Sequence, residues 1–251
     1  MEEEIYRFAV GLAGLRVGIT TRSPQVRAFF RDYILPEDGE PEDLSVQAGP
    51  EQLEEERRTA EAMGQRFGDA YLERLALYRC IAEQAPARDI LLMHGSVIAV
   101  DGIAYMFTAP SGTGKSTHAR LWREAFGERT VMVNDDKPLL ICREDGIYAC
   151  GTPWNGKHGL SSNVILPLRA IAVLNRGEEN RCEPVLPENY FEFLYTQIFR
   201  PTAPQMQLRS LQLIGRLCAQ TKIYDLRCNM EPEAAEIAYA AMRQSKGENR
   251  P

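Results

Sequence analysis

The sequence predicts an α/β fold with a mixed sheet, preceded by an α+β N-terminal region, and three observations predict it. Residues 1–88 alternate extended and helical patterns. From Asp89 onward, two apolar strand-like runs flank an Asp-Gly turn. The second run feeds a glycine-rich segment, Thr108–Thr117 (TAPSGTGKST), followed by a helical pattern and another short apolar run that ends in two carboxylates. Strand, glycine loop, helix and strand in that order are the grammar of a phosphate-binding α/β unit.

Taken in order, residues 5–20 read as extended structure interrupted by Gly11, Gly14 and Gly18. The run SPQVRAFFRDYI reads as a helix, with Ser23 as N-cap and Pro24 in the first turn. Residues 36–43 form a polar loop, Leu44–Ala48 a short strand, and residues 51–66 and 69–85 two helices. The second helix is expected to present Tyr71, Leu75 and Tyr78 on one face with Leu72 beside them. A boundary near residue 88 separates this region from a P-loop kinase-like domain over 89–245, with 246–251 a disordered tail. Within that domain Ile90–Val100 and Ile103–Thr108 are strands joined at Asp101-Gly102. Ser116–Phe126 is a helix ended by Gly127, and Thr130–Asn134 a strand. Residues 138–150 are a hairpin turning at Glu144-Asp145-Gly146, with further strands near 163–175 and a loop over 177–188. Residues 190–199 and 205–220 are helical, Lys222–Arg227 extended and Pro232–Met242 helical.

Composition narrows the function. Of 251 residues, 44% are hydrophobic and 25% charged, the balance of a soluble globular chain with material for a real core. A formal net charge of −6 without a basic run argues against nucleic acid as partner. The start MEEEIYRF lacks the pattern of a signal peptide, and no apolar run is long enough to span a bilayer, so a cytoplasmic protein with no membrane partner is expected. The six cysteines form no C-x-x-C pair and read as reduced, mostly buried thiols, with no zinc cluster.

The glycine-rich segment fits the P-loop pattern, with Ala109 in the first glycine position. Gly112 and Gly114 admit backbone geometries that let amides converge on phosphate oxygens, with Ser111, Thr113 and Thr117 completing the cradle. Lys115 reaches terminal phosphates as a mobile point charge, Ser116 offers its hydroxyl to magnesium, and the following helix aims its N-terminus at the anion. The run TVMVNDD then ends in Asp135 and Asp136. Strand residues alternate faces, so one acid is free to hold magnesium while the other accepts a proton from an attacking hydroxyl.

His94-Gly95, two strands, SGTGKST and a strand ending in VNDD together resemble the catalytic domain of HPr kinase/phosphorylase, whose fold is that of phosphoenolpyruvate carboxykinase. The resemblance covers roughly residues 89–175 and is to the wider set of HPr-kinase-related proteins, which includes kinases of peptides and other hydroxyl substrates. It implies Lys115 as the phosphate-binding lysine, Ser116 as magnesium ligand, Asp135 as general base, Asp136 as second acid and metal ligand, and His94 as a site residue on the strand before the P-loop strand. The glycine-rich phosphorylase signature is replaced by GTPWNGKHGLSSN, residues 151–163, and residues 1–88 do not match that family's amino-terminal domain.

The remaining candidates cluster nearby. His94 would hydrogen-bond an acid or a phosphate oxygen. His118, in the first turn of the helix after the loop, is expected to face solvent. Lys157 would neutralise charge developing during transfer, while Trp154 either anchors its loop or touches substrate. Trp122 is expected to pack. The reading is an ATP- and Mg2+-dependent kinase acting on a hydroxyl, a serine of a peptide or protein first. A small-metabolite kinase and a non-catalytic ATP-binding module are the alternatives, and a homo-oligomer is left open.

Overall fold

The computed structural model describes residues 4–244. The chain opens with a hairpin of β1 (Tyr6–Leu12) and β2 (Leu15–Thr21), turning at Ala13-Gly14 where both residues have positive φ. Helix α1 (Pro24–Phe29) follows, capped by the Ser23 hydroxyl accepting from the Val26 amide. Strand β3 (Leu44–Gln47) adds parallel to β2 and completes a three-stranded sheet. Helices α2 (Pro50–Ala62) and α3 (Asp69–Gln84) pack beside it. The face of α3 that turns inward carries Leu72, Ala76, Leu77 and Ile81. Tyr71 is exposed with its ring against Phe67, and Leu75 and Tyr78 are only half-buried, so the expected stripe is rotated by one position.

The second sheet has nine strands. These are β4 (Ile90–Leu92), β5 (Ser96–Val100), β6 (Ile103–Thr108), β7 (Thr130–Asn134), β8 (Leu139–Cys142), β9 (Ile147–Cys150), β10 (Ile165–Arg176), β11 (Arg181–Val185) and β12 (Lys222–Cys228). The 12-residue β10 is its spine. Its first residues pair antiparallel with β9, which continues through β8 to β4, and its remainder runs parallel to both β6 and β12. Beyond β6 lie β5 and then β7, each antiparallel to its neighbour. The expected single strand over 90–100 is therefore two, in different parts of the sheet, broken at His94-Gly95. Glycine is required at the break: a Cβ on Gly95 would stand 2.9 Å from the Phe107 carbonyl oxygen and closer still to Met106. The expected loop at 177–188 contains β11, which pairs antiparallel with β12 and has no second neighbour in the sheet. Pro184, the residue that argues for a loop, is tolerated on an edge strand because no ladder partner needs its missing N–H.

Alternation along the central strands explains their near-continuous apolar runs. Ile98, Tyr105, Phe107, Ala172 and Leu226 face α4 (Lys115–Phe126) and α7 (Glu233–Met242). Val97, Met106, Ile171 and Ile223 face α5 (Phe191–Gln197) and α6 (Pro204–Gln220). With both faces covered, all of β5 and nearly all of β6 are buried and a period-two pattern vanishes. A further core joins the three-stranded sheet, α1 and α3 to β4, β8, β9 and Trp154. All six cysteines are unpaired thiols. Among the described residues no helix is long and apolar enough to cross a membrane.

Candidate functional site

The strand directions bring the carboxyl ends of β6, β7, β10 and β12, and the amino end of β5, to one edge of the sheet. Open α/β sheets bind ligands at such an edge. The glycine-rich segment leaves β6 there. Gly112 has φ 78° and Gly114 φ 126°, both in the region that side chains resist, and Gly114 caps α4. Thr113 folds back onto Pro110, its hydroxyl donating to that carbonyl at 2.8 Å. Lys115 is only 8% exposed, and its Nζ donates to the carbonyls of Ala109 and Pro110 at 2.9 and 3.4 Å. It forms no ion pair among the described residues, and burial pulls its pKa down, with Asp136 opposing. The result is a nearly buried ammonium with a donor to spare, under a ring of open amides and a helix N-terminus, an arrangement suited to an anion.

The acid pair divides. Asp135 is 6% exposed and accepts from the Ser96 hydroxyl at 2.7 Å. It lines a cavity of about 170 Å³ together with Ser116, Thr117 and His158. Asp136 is half-buried between a lysine and an imidazole: its Oδ2 lies 2.8 Å from Lys137 Nζ and its Oδ1 3.5 Å from His94 Nε2. Asn134 sets this split. Its side-chain oxygen accepts the amides of Asp136 and Lys137 at 2.9 and 2.6 Å, and its amide donates to the Thr152 carbonyl. His94 stands in the break between β4 and β5, not on a strand as expected. Its carbonyl accepts from Thr108 and its amide donates to Gln197. Burial, with Lys115 adding to it, lowers the His94 pKa, so the ring is neutral near pH 7.

Magnesium takes oxygen ligands, few of them from protein, and keeps phosphates and waters. Ser116 and Asp135 facing one small cavity fit that donor set. Asp136, ringed by Lys137, His94 and the charge of Lys115, does not. Among the described residues no three His, Cys, Asp or Glu side chains gather as a metal cluster.

Other expectations resolve unevenly. Ser111, Gly112, Thr113, Gly114, Ser116 and Thr117 lie together on the loop and first turn of α4. Lys157 lies on an exposed turn, without a hydrogen bond or ion pair among the described residues, and His158 instead lines the cavity that Asp135 lines. Trp154 is an anchor: its Nε1 donates to the Arg74 carbonyl at 3.0 Å, and its ring packs edge-on to Phe29 and Phe30. His118 does not face solvent. It is 2% exposed, accepts from Trp122 Nε1 at 3.0 Å, and burial holds its pKa at about 4. Sequence reasoning missed Arg176, at the carboxyl end of β10. Its Nη2 and Nε donate to the carbonyls of Gly112 and Thr113 at 2.6 and 3.1 Å, turning those oxygens away from the cradle. An arginine ending a buried strand beside Gly177 was the available signal. Ser96, next to His94-Gly95, was also missed.

No protein-family model and no curated protein matches the sequence. Among solved structures, the Hpr(Ser) kinase/phosphatase from Coxiella burnetii is similar at 9% identity, covering 61% of this chain and 94% of that chain, with a TM-score of 0.32. A likeness at that level carries no argument about function, which rests on the geometry above.

Proposed function

We propose that this protein is a phosphotransferase that moves the terminal phosphate of a nucleoside triphosphate, ATP first, to a hydroxyl, with a serine of a peptide or protein as the first acceptor to test. One observation carries the reading: Lys115, nearly buried and without a carboxylate ion pair among the described residues, lies beneath a glycine loop and beside two carboxylates with different surroundings. A buried ammonium is costly unless an anion completes it. A phosphate in the cradle of loop amides does so.

In this reading Lys115, the amides of Gly112 and of residues 114–117 and the N-terminus of α4 hold the triphosphate. Ser116 and Asp135 are the residues that would hold magnesium, which supplies charge neutralisation on the phosphate oxygens. Asp136 orients the acceptor and takes its proton as the new P–O bond forms and the bond to the nucleoside diphosphate breaks. The Lys137 ammonium lies against its Oδ2, and its partial exposure lets an acceptor reach it. This exchanges the roles that family resemblance suggests for the two acids. Lys157, exposed and without a partner among the described residues, is given no step in this reading.

The two acids are separable by experiment. Asp136→Asn is expected to keep nucleotide affinity within about twofold while transfer falls by about 10²–10⁴. Asp135→Asn is expected to weaken magnesium-dependent nucleotide binding as well. γ-Labelled ATP transfer and equilibrium binding, measured on both variants, decide between them. Lost binding in the Asp136 variant with intact binding in the Asp135 variant would restore the opposite assignment.

A further inference from the structure

Two cavities flank the first turn of α4, where Thr117 lines both. The smaller, beside Asp135, is about 170 Å³ and too small for a nucleoside. The larger, about 460 Å³, opens next to Gly112 and Gly114 and is within the range of organic-ligand pockets. It contains no carboxylate, and the transfer chemistry above makes no use of it.

Its walls are apolar where they are free and engaged where they are polar. Leu121 of α4 and Leu174 of β10 supply apolar surface, and Met230, just past β12, is 75% exposed at its edge. The Thr113 hydroxyl and the Nε and Nη2 of Arg176 are spent on loop carbonyls. Asn229 donates to the Glu178 carbonyl and accepts from the Glu231 amide. The two ring nitrogens of His118 are spent on Trp122 and on the Cys228 thiol. Thr117 alone among the polar side chains lining the cavity has no hydrogen bond among the described residues, and it stands at the loop end, where phosphate would lie.

Resting on the phosphotransferase reading, we propose that this cavity takes the nucleoside half of the donor and grips its base by apolar contact, with Met230 folding over it. Continuity with the glycine loop names the occupant, and the volume admits it. A flexible thioether adapts to any purine face and reads no base edge. The polar side chains at the base end, Asn229 and Arg176, are already tied to protein carbonyls and amides, so discrimination between adenine and guanine has little hydrogen-bond basis. Donor choice then depends on the triphosphate and not on which purine it carries.

Calorimetric titration of the full chain with magnesium tripolyphosphate, ATP and GTP tests this, using wild type, Met230→Ala and Met230→Glu. Met230 is exposed, so neither substitution threatens the fold. The expected result is ATP and GTP affinities within about threefold of each other, both weakened about fivefold to tenfold by Met230→Ala and further by Met230→Glu, with tripolyphosphate affinity unmoved. Equal ATP affinity in all three proteins, or a wild-type preference for one purine of about twentyfold or more, overturns the proposal. Tripolyphosphate binding as tight as ATP binding would also overturn it, while leaving the loop's phosphate role intact. If none of the three binds, the phosphotransferase reading fails first.

Discussion

Arg176 shows how a single side chain can set the character of a loop. The cradle works only if its carbonyls point outward and its amides inward, and Arg176 holds two of those carbonyls outward through a planar fork. Arg176→Gln is expected to raise the KM for nucleotide about tenfold, the scale of a lost charged hydrogen bond, with kcat changed little. Arg176→Lys should rescue poorly, because a point charge cannot span two carbonyls in fixed geometry. Steady-state kinetics over nucleotide concentration check both, and a fall in kcat alone would assign Arg176 to the chemical step instead. Residues of this kind mark the limit of legibility at this scale. Lys115 and the glycines could be read because their function is encoded in local spacing. Arg176 comes from 64 residues beyond Gly112, and Ser96 from 39 before Asp135, so only the sheet brings them together. The division between Asp135 and Asp136 was equally hidden, because it depends on the Asn134 side chain organising the turn after β7.

At the scale of an element, α4 has one face devoted to the loop and another built on an aromatic cluster. Trp122 is fully buried against Tyr105, Phe107 and Tyr239, and it donates to His118, which is held neutral. The unfolded chain protonates this histidine near pH 6.5, whereas the folded chain resists until about pH 4. The unfolded state thus binds more protons in that window. The stabilisation is complete above about pH 6.5 and is lost as pH falls toward 4, by about 3 kcal/mol in all. His118→Gln keeps an acceptor for Trp122 and removes the titration. Urea unfolding at pH 7 and pH 5 is expected to show a smaller loss of stability in the variant than in wild type, and equal losses would mean that the imidazole titrates normally. Elements with strong local punctuation were legible, as in the Asp101-Gly102 turn and the Ser23 cap. Those whose existence depends on a neighbour were not. β11 is polar, proline-bearing and short, and it is a strand because the edge of β12 offers it a ladder.

At the scale of the whole molecule, residues 1–88 and the nine-stranded sheet share one core. Phe8, Val10, Val17, Phe30 and Leu77 on one side cluster with Ile90, Leu92, Leu139, Ile141 and Trp154 on the other. Removing the first 88 residues would uncover the second set. Burying such side chains contributes about 1.5–3 kcal/mol each, so five of them amount to roughly the entire stability of a domain, ~5–15 kcal/mol. Residues 89–251 expressed alone are therefore expected to be insoluble or to lack a cooperative thermal transition. A soluble fragment melting cooperatively within a few degrees of the full chain would show that the composition change near residue 88 marks a true folding boundary. The outcome bears on the site through Trp154. That residue fastens the loop that supplies Thr152 and His158 to α1 and α3, and Thr152 in turn holds Asn134, which sets the directions of the two acids. The N-terminal region thereby reaches the acid turn through a continuous chain of contacts. A destabilised Trp154 anchor should lower phosphate transfer before it lowers nucleotide affinity, because the glycine loop depends on β6, β10 and α4 and not on residues 1–88.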